Sequence, residues 1–486
     1  MSLCDPTKWG GKVSSGGWRT VVGGAYPVVE PATGKELGRL GLAAPEDIAA
    51  ACERAAAAQP EWAASPHEQR AAVLRKAGDL ILANADEIVD WLVRESGAAK
   101  GIAGFQIGVS SDECYEAAAL PSHPYGELLR SSSPRLSFSR RIPAGVVGVI
   151  APFNVPLILS IRSVAPALAL GNTVVLKPDP RTGVSGGVVL ARLFEEAGLP
   201  EGVLHVLPGG ANAGEALVED PRVRVISFTG STRAGRAVGE LAARHLKRAH
   251  LELGGNSALV VLDDADLDKA ASAGAWGSFL HQGQICMTTG RHLVHRSIFD
   301  GYVERLTQKA DSLPVGNPAT EEVALGPIID ERQRDHIHEL VTASVGQGAH
   351  LATGGTYEGL YYRPTVLTEV TQEMPAYKEE VFGPVAPVVP FSTLEEAAAL
   401  ASATPYGLSL GILTSDPLRA LTLAEKIPSG AVHINDQTVN DEAQIPFGGL
   451  FDSGTGARFG GAEANIEAFT ETQWVTMRSD IAPYPF

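Results

Sequence analysis

Hydrophobic positions in the N-terminal third of the chain recur mostly at helical spacing. An alanine-rich run begins at Pro45, and a later segment places Val73 and Ala77 on one face. This pattern predicts two helices over residues 45–96. Residues 134–141 instead alternate apolar and polar side chains, which is typical of a half-buried strand.

From residue 145 onward, short apolar runs alternate with segments of helical spacing. The predicted elements are, in chain order, strand Gly145–Ile150, helix Ile158–Leu170, strand Thr173–Leu176, helix Gly186–Ala197, strand Val223–Phe228 and helix Gly235–Lys247. Such alternation predicts a parallel sheet in a doubly wound α/β domain.

A second α/β region begins near Leu251. Its predicted strands are Ser257–Leu262, Pro384–Phe391 and Leu408–Leu413. A helix over Ala270–Leu280 follows the first of them, and the acidic cluster of Asp263, Asp264 and Asp266 is suited to cap it.

Composition narrows the class of protein. The 39 basic and 56 acidic residues leave a net charge of −17 over 486 residues, which disfavours nucleic acid and anionic membranes as partners. The most apolar stretch, Val146–Ile161, is interrupted by Pro152 and Pro156 and is too short to span a bilayer. We expect a cytoplasmic protein that acts on a small molecule.

Cysteine and histidine spacing gives no sign of a metal. The four cysteines lie far apart without a CxxC pair. His292 and His295 stand alone, so we expect them at the surface and predict no metal site.

Three look-alike motifs do not carry the function. Gly183–Gly187 has the G-x-S-x-G spacing of hydrolases, but Lys177–Thr182 separates it from the predicted strand, so Ser185 is expected to cap the next helix. Asp452 begins an Asp-Ser-Gly triplet like that of aspartic proteases, and no second such triplet exists. Gly230–Arg236 has the glycine spacing of a P-loop without its Lys-Ser/Thr.

A set of reactive side chains stands in apolar, glycine-rich surroundings. It consists of Asn154, Lys177, Glu252, Cys286 and Glu380. Taken singly, each has an ordinary explanation: a buried cysteine often behaves as a hydrophobe, and asparagine beside proline forms turns. Their joint occurrence in one chain indicates a catalytic site.

The chain resembles the aldehyde dehydrogenase superfamily from about Pro31 to about Trp474. The motifs that carry the resemblance are Pro152-Phe-Asn154, Lys177-Pro178, Phe228-Thr-Gly-Ser-Thr232, Glu252-Leu-Gly-Gly255, Gly283-Gln-Ile-Cys286, Glu380-Val-Phe-Gly-Pro384 and Pro446-Phe-Gly-Gly449. The resemblance implies NAD(P)-dependent oxidation of an aldehyde to an acid. It also implies an α/β fold with a Rossmann-like cofactor domain, an α/β catalytic domain and a small β flap for oligomerisation.

The resemblance assigns three catalytic roles. Cys286 would add to the aldehyde carbon as a thiolate, and the Asn154 amide with the Cys286 backbone N–H would stabilise the oxyanion. Glu252 would then activate water to hydrolyse the thioester, with burial raising its pKa. Family members that acylate coenzyme A generally lack this glutamate, so the chain is expected to release a free acid.

The resemblance also assigns the cofactor site. Gly230 and Ser231 would open a helix whose N-terminus faces the pyrophosphate. Lys177 would reach the adenosine ribose, Glu380 would bind the nicotinamide ribose, and Phe382 would pack beside the ring.

The family often has a glutamate three residues after this lysine, and here that place is Pro180. Without its negative charge we expect the enzyme to accept NADP as well as NAD, with Arg181 assisting.

The substrate slot is expected to be apolar and without fixed charge. Its predicted lining is Phe153, Val155, Leu157, Ile285 and Met287. Asn256 and His281, where many members have lysine and asparagine, resemble the benzaldehyde/vanillin branch, which implies an aromatic aldehyde. A broad-range aliphatic enzyme, a coenzyme A-acylating enzyme and a non-catalytic binding protein remain as alternatives.

The resemblance divides the chain into three parts. Residues 1–124 and 146–251 would bind the dinucleotide, residues 252–461 would form the catalytic domain, and residues 125–145 with 462–486 would supply oligomerisation strands. The run Phe469–Met477 is strand-like. Because an unpaired edge strand favours pairing with another copy, a homodimer or homotetramer is expected.

Overall fold

A computed structural model describes residues 2–486. The strands are β1 Val13–Ser15, β2 Trp18–Arg19, β3 Ala25–Val29, β4 Glu36–Gly41, β5 Gly126–Leu128, β6 Leu136–Pro143, β7 Val146–Ile150, β8 Thr173–Lys177, β9 Leu204–Val206, β10 Val223–Thr229, β11 Arg248–Glu252, β12 Ser257–Val261, β13 Thr289–His295, β14 His350–Thr353, β15 Tyr357–Glu358, β16 Tyr361–Tyr362, β17 Thr365–Thr368, β18 Val385–Phe391, β19 Tyr406–Gly407, β20 Ser409–Leu413, β21 Ala431–Ile434, β22 Leu450–Phe451 and β23 Thr470–Met477.

The α-helices connect these strands and cover the sheets. They are α1 Pro6–Trp9, α2 Pro45–Ala64, α3 His67–Ala83, α4 Ala85–Ser96, α5 Lys100–Ala119, α6 Pro156–Ala169, α7 Val189–Glu196, α8 Ala211–Glu219, α9 Thr232–Arg244, α10 Leu267–Phe279, α11 Phe299–Ser312, α12 Glu331–Gly346, α13 Pro375–Lys378, α14 Leu394–Ser402, α15 Pro417–Ala424 and α16 Ala462–Phe469.

The first large sheet has the strand order β11-β10-β7-β8-β9-β1-β2. Its five strands from β11 to β9 are parallel, and β1 and β2 add an antiparallel edge. The chain leaves β7 toward β8 on one side and later returns to β10 on the other. The strand order therefore reverses between β7 and β10, which creates the crevice where doubly wound sheets bind ligands.

The second large sheet has the order β14-β17-β18-β13-β12-β20-β21, parallel apart from the edge strand β14. A smaller antiparallel sheet, β23-β6-β5, joins the C-terminal strand to the segment before β7. Valine, leucine, isoleucine and alanine from strands and covering helices form two apolar cores beside each large sheet, one on each face. The predicted α/β class with parallel sheets is confirmed.

The helical region at 45–96 contains three helices, where the sequence pattern predicted two. Ser65-Pro66 ends α2 and starts α3, and Asn84 separates α3 from α4. The strand predicted at 134–141 is β6, displaced by two residues. The predicted capping of α10 rests on Asp266 alone, whose carboxylate accepts from the Asp268 and Lys269 amides.

The predicted positions of Ser185 and His292 are wrong. Ser185 does not cap a helix: it lies inside the π-helical turn Val184–Val188, where its hydroxyl donates to the buried Glu95 carboxylate at 2.6 Å. His292 is buried in β13, where its ring bridges the Ser278 and Tyr302 hydroxyls at 2.7 Å each. Burial lowers the His292 pKa to about 3.

No helix within residues 2–486 combines the length and apolar character needed to cross a membrane.

Candidate active site

The first large sheet contributes side chains from the carboxyl ends of its strands. Asn154 follows β7, Lys177 ends β8, Gly230 follows β10, and Glu252 ends β11. These parallel strands are neighbours around the β7/β10 crevice, so their ends meet at one edge.

The second large sheet contributes side chains that come just before its strands. Cys286 precedes β13, while Glu380 and Phe382 precede β18. The amino-terminal edge of this sheet therefore faces the carboxyl-terminal edge of the first, and the segment Leu253–Asn256 connects β11 to β12 across the gap.

One cavity of about 960 Å³ is lined by Asn154, Glu252 and Cys286 together. Asn154 and Glu252 are buried, whereas Cys286 is half-buried. The apolar wall includes Phe279, Phe447 and Phe459, and Phe105 and Trp276 remain exposed to solvent on the same lining.

Helix α6 presents a single face to this cavity. Pro156 occupies its first position, and the lining residues Val155, Ile158, Leu159 and Arg162 recur at intervals of three or four. Leu157 was predicted to line the slot, but it points to the other side of α6 and is fully buried in the core beside the first sheet. The predicted lining residues Val155, Ile285 and Met287 do reach the cavity.

Phe153 also lies outside the substrate cavity, contrary to the prediction. Its ring contacts Phe382 edge-on at 6.0 Å between centroids, and the Arg181 guanidinium covers it at 4.1 Å. Asn154 therefore lines the cavity, whereas its neighbour Phe153 packs against Phe382.

Two hydrogen bonds fix Asn154. Its Nδ2 donates to the Gln284 carbonyl at 2.9 Å, and its own carbonyl accepts from His281 Nε2 at 2.7 Å. Burial lowers the His281 pKa to about 4, so the ring is neutral and its single proton is on Nε2. His281 adopts a left-handed backbone conformation with φ of 52°, which is costly for a residue with a Cβ.

Glu252 is a buried carboxyl group without a hydrogen-bond partner for either oxygen within residues 2–486. Burial raises its pKa well above the ordinary value, and the guanidinium groups of Arg458 and Arg162 oppose that rise. A carboxyl group that is expensive to ionise and has free oxygens is suited to accept a proton during a reaction.

Burial also raises the pKa of the Cys286 thiol to about 12, with the carboxylates of Glu380, Glu252 and Asp441 adding to the shift. The guanidinium group of Arg162 acts in the opposite direction. Cys286 is therefore a protonated thiol at neutral pH, and its proton must leave before it can attack a carbonyl carbon.

The cavity contains charged groups that the sequence pattern did not lead us to expect. Arg162 donates to Glu113 at 2.9 Å and to Asp441, and Asp441 and Glu442 line the cavity with it. The expectation of a slot without fixed charge is wrong. The missed signal was the helical period, since Arg162 follows Val155 by seven residues.

The residues predicted to bind the cofactor lie around the β7/β10 crevice. Ser231 caps α9, with its hydroxyl accepting from the Ala234 amide, and the Gly230 amide donates to the Glu252 carbonyl at 3.0 Å. Glu380 accepts from the Gly255 amide at 3.0 Å, and burial raises its pKa to about 7. Lys177 is buried and donates to the Gly209 carbonyl at 2.8 Å.

This arrangement fits a dinucleotide. The first turn of α9 contains no acidic residue, so its free amides and positive dipole end suit a pyrophosphate. At Gly254 a Cβ would lie 2.1 Å from Glu380 Oε2, so glycine is required for Glu380 to approach this loop.

Arg181 is already fully engaged. Its Nε and Nη2 donate to Asp179, its Nη1 donates to Asp330 at 2.7 Å, and its face covers Phe153. The expected assistance of Arg181 to NADP is therefore not supported by its position.

No cluster of three or more His, Cys, Asp or Glu side chains in the described chain, residues 2–486, could hold a metal ion.

Comparison with known proteins places the chain in a family. The model of the aldehyde dehydrogenase family matches residues 18–475. A vanillin dehydrogenase of Amycolatopsis sp. is 69% identical over all 486 residues of both chains, and a benzaldehyde dehydrogenase [NAD(+)] of Pseudomonas putida is 49% identical over 98% of each. The crystal structure of a salicylaldehyde dehydrogenase from Pseudomonas putida G7, complexed with salicylaldehyde, has a TM-score of 0.94 and 35% identity, covering 98% of this chain and 99% of that one. The chain belongs to the aldehyde dehydrogenase family of NAD(P)-dependent oxidoreductases.

Proposed function

We propose that this chain oxidises aromatic aldehydes to free carboxylic acids with NAD or NADP. The observation that carries the proposal is the convergence of Asn154, Glu252 and Cys286 on one cavity with mainly apolar walls. An aromatic ring suits a cavity lined by Phe279, Phe447 and other apolar side chains. The similar proteins include vanillin, benzaldehyde and salicylaldehyde dehydrogenases, which supports the same substrate class.

The first chemical step is addition of Cys286 Sγ to the aldehyde carbon. The thiol gives its proton to solvent water at the open side of the cavity, a carbon–sulfur bond forms, and the carbonyl π electrons move to oxygen. Asn154 Nδ2 has two hydrogens and uses one for the Gln284 carbonyl. The second hydrogen and the Cys286 backbone N–H would stabilise the oxyanion.

The oxyanion then re-forms the carbonyl and expels hydride from the former aldehyde carbon, leaving a thioester on Cys286. A bound NAD or NADP would supply the acceptor for this hydride. Lys177, Gly230, Ser231, Glu380 and Phe382 would hold that dinucleotide between the two sheets.

Glu252 completes the cycle. Its carboxylate takes a proton from water, whose oxygen attacks the thioester and releases the carboxylic acid and the Cys286 thiolate. A carboxyl group with two unpartnered oxygens at this place supports hydrolysis over acyl transfer to coenzyme A.

Acceptance of both cofactors is part of the proposal and rests on Pro180. A carboxylate at this position would repel the 2′-phosphate of NADP, and proline cannot do so. We expect kcat/KM for NAD and NADP to differ by less than about a hundredfold, and Pro180→Glu to reduce the NADP value selectively. A larger preference for NAD in the unchanged protein would refute dual use.

Pairing of copies through the small sheet is the proposed assembly. Strand β23 has a free outer edge and exposes Trp474 and Met477, and β5 exposes Leu128. An exposed edge with apolar side chains favours association. We expect a homodimer or homotetramer in size-exclusion chromatography with light scattering at micromolar concentration, and a monomer would contradict this.

The deciding experiment measures reduced-nucleotide formation from benzaldehyde and from hexanal, with NAD and with NADP, and with and without coenzyme A. Preferred turnover of benzaldehyde without coenzyme A is the expected result. A strong preference for hexanal would indicate the aliphatic alternative, and dependence on coenzyme A would indicate the acylating alternative.

A further inference from the structure

We propose that Arg162 binds a hydroxyl group on the ring of the aromatic aldehyde and thereby makes the enzyme selective for hydroxylated benzaldehydes. This inference rests on the proposed function and adds a substituent to its substrate class. It starts from the placement of a charged side chain in a cavity whose walls are otherwise mainly apolar.

Arg162 belongs to the cavity and not to the surface. It is 5% exposed and lies on the same face of α6 as Val155, Ile158 and Leu159. The cavity that contains Asn154 also contains Arg162, so a bound aldehyde can meet both.

The guanidinium group of Arg162 is held in place on three sides. Its Nε donates to Glu113 at 2.9 Å, its Nη2 donates to Asp441, and its face lies 5.2 Å from the Phe447 ring centroid. The remaining nitrogen, Nη1, has no hydrogen-bond partner in the part of the chain that the structure describes, residues 2–486. A fixed guanidinium with one free N–H edge is a preorganised donor.

Arg162 retains its charge despite burial. Burial alone would lower the Arg162 pKa, but the carboxylates of Asp441 and Glu113 outweigh it and raise the pKa. Hydrogen bonds from a charged donor are stronger than those between neutral groups, so an electron-rich oxygen in the cavity is drawn to this edge.

The neighbouring acids determine which oxygen fits. Asp441 and Glu442 line the cavity beside Arg162, and they would repel a second carboxylate on the substrate. A hydroxyl group can accept from Arg162 Nη1 and donate to Asp441 at the same time. The charge pattern therefore favours a ring hydroxyl over a ring carboxylate.

The test uses a ratio, so that a change in overall rate does not affect it. We compare kcat/KM for 3- and 4-hydroxybenzaldehyde with kcat/KM for benzaldehyde and for 4-carboxybenzaldehyde. The unchanged protein should prefer at least one hydroxylated ring over benzaldehyde by about tenfold or more, and 4-carboxybenzaldehyde should be poorer than benzaldehyde. A ratio near one, or a preference for the carboxylated ring, would overturn the proposal.

Arg162→Met should bring the hydroxyl preference close to one, while Arg162→Lys should keep part of it. If the methionine variant does not fold, the lysine variant decides: a reduced ratio supports the proposal and an unchanged ratio overturns it. A matched control is Arg192→Met, because Arg192 is an equally buried arginine with two acidic partners, Glu195 and Glu196, outside the cavity. The control should leave the ratio unchanged.

Failure of the inference and failure of the proposed function give different results. If benzaldehyde is turned over and the hydroxyl preference is absent or survives Arg162→Met, only the role of Arg162 is refuted. If no benzaldehyde is turned over and hexanal is, the aromatic function itself is refuted, and the Arg162 proposal with it.

Discussion

The two large sheets meet at the candidate active site with opposite edges. The first places Asn154, Gly230 and Glu252 at the carboxyl ends of β7, β10 and β11, whereas the second places Cys286 and Glu380 just before the amino ends of β13 and β18. Only the first half follows the rule that ligands bind at the carboxyl edge of a parallel sheet. The reaction would therefore take place between a ligand-binding edge and an edge that usually carries no site.

This difference extends to electrostatics. On the first side the N-terminus of α9, capped by Ser231, offers positive partial charge to an anion. On the second side Cys286 follows the C-terminal end of α10, which offers no such charge, and burial raises its pKa to about 12. We infer that the first side supplies the anion-binding helix together with Asn154 and Glu252, whereas the second side supplies the attacking thiol.

The largest loss of turnover should come from a substitution of Cys286, on the side of the second sheet. Cys286→Ala should reduce turnover by about 10⁴-fold or more, because no other group in the cavity can form the thioester. Binding of reduced nucleotide, measured by fluorescence titration, should persist because α9 is untouched. Cys52→Ala is the matched control, since Cys52 is a buried thiol on α2 outside the cavity. Formation of reduced nucleotide by the Cys286→Ala variant would show that the second side does not supply the nucleophile.

The next effect should come from the base on the first side. Glu252→Gln should slow steady-state turnover by about 10²-fold or more, because hydrolysis of the thioester loses its general base. Addition and hydride loss do not require water, so one equivalent of reduced nucleotide should still form in a rapid burst. Stopped-flow absorbance measures this burst. A variant that loses the burst as completely as turnover would show that Glu252 acts before the thioester.

The pH dependence of kcat should test the role of Glu252 on the first side. Burial raises the Glu252 pKa well above its ordinary value, so at low pH the carboxyl group is protonated and cannot accept a proton. As pH rises the carboxylate accumulates, and kcat should climb by up to about tenfold per pH unit on the ascending limb. The rise in kcat should occur at a higher pH than the ionisation of an exposed glutamate, and Glu252→Gln should remove this rise. A flat profile from pH 5 to 9 would contradict the assignment.

The contrast between the sheets also explains what the sequence could predict. The alternating strand and helix patterns predict where β7 and β10 end. The positions of Asn154 and Gly230 at these carboxyl ends could therefore be predicted from the sequence. The place of Cys286 came from family resemblance alone, because no local rule puts a nucleophile before a strand. Periodicity could have separated Leu157 from Arg162, since α6 begins at Pro156 and only every third or fourth residue faces the cavity.

The buried histidines show a different limit. His281 and His292 are neutral because the fold buries them, and their rings hydrogen-bond to Asn154 and to Ser278, respectively. Those partners lie on other elements, so composition and spacing do not indicate them. A sequence pattern shows that a histidine is isolated in the chain, but it does not show that the fold surrounds it.

The smallest effect should come from the contact that joins the two sides. His281 Nε2 donates to the Asn154 carbonyl at 2.7 Å and would thereby position the proposed oxyanion donor from the loop that carries Cys286. His281→Asn should lower kcat about three- to tenfold, the effect of one neutral hydrogen bond, with little change in nucleotide affinity.

A double-mutant cycle distinguishes positioning from general loosening of the fold. If His281 acts only through Asn154, the further loss on adding His281→Asn to Asn154→Ala should be negligible, since the group being positioned is already absent. Independent, multiplicative losses would show that His281 acts elsewhere. Because the His281 pKa is lowered to about 4, the ring stays neutral from pH 6 to 9, so the substitution should leave the shape of the pH profile unchanged in that range.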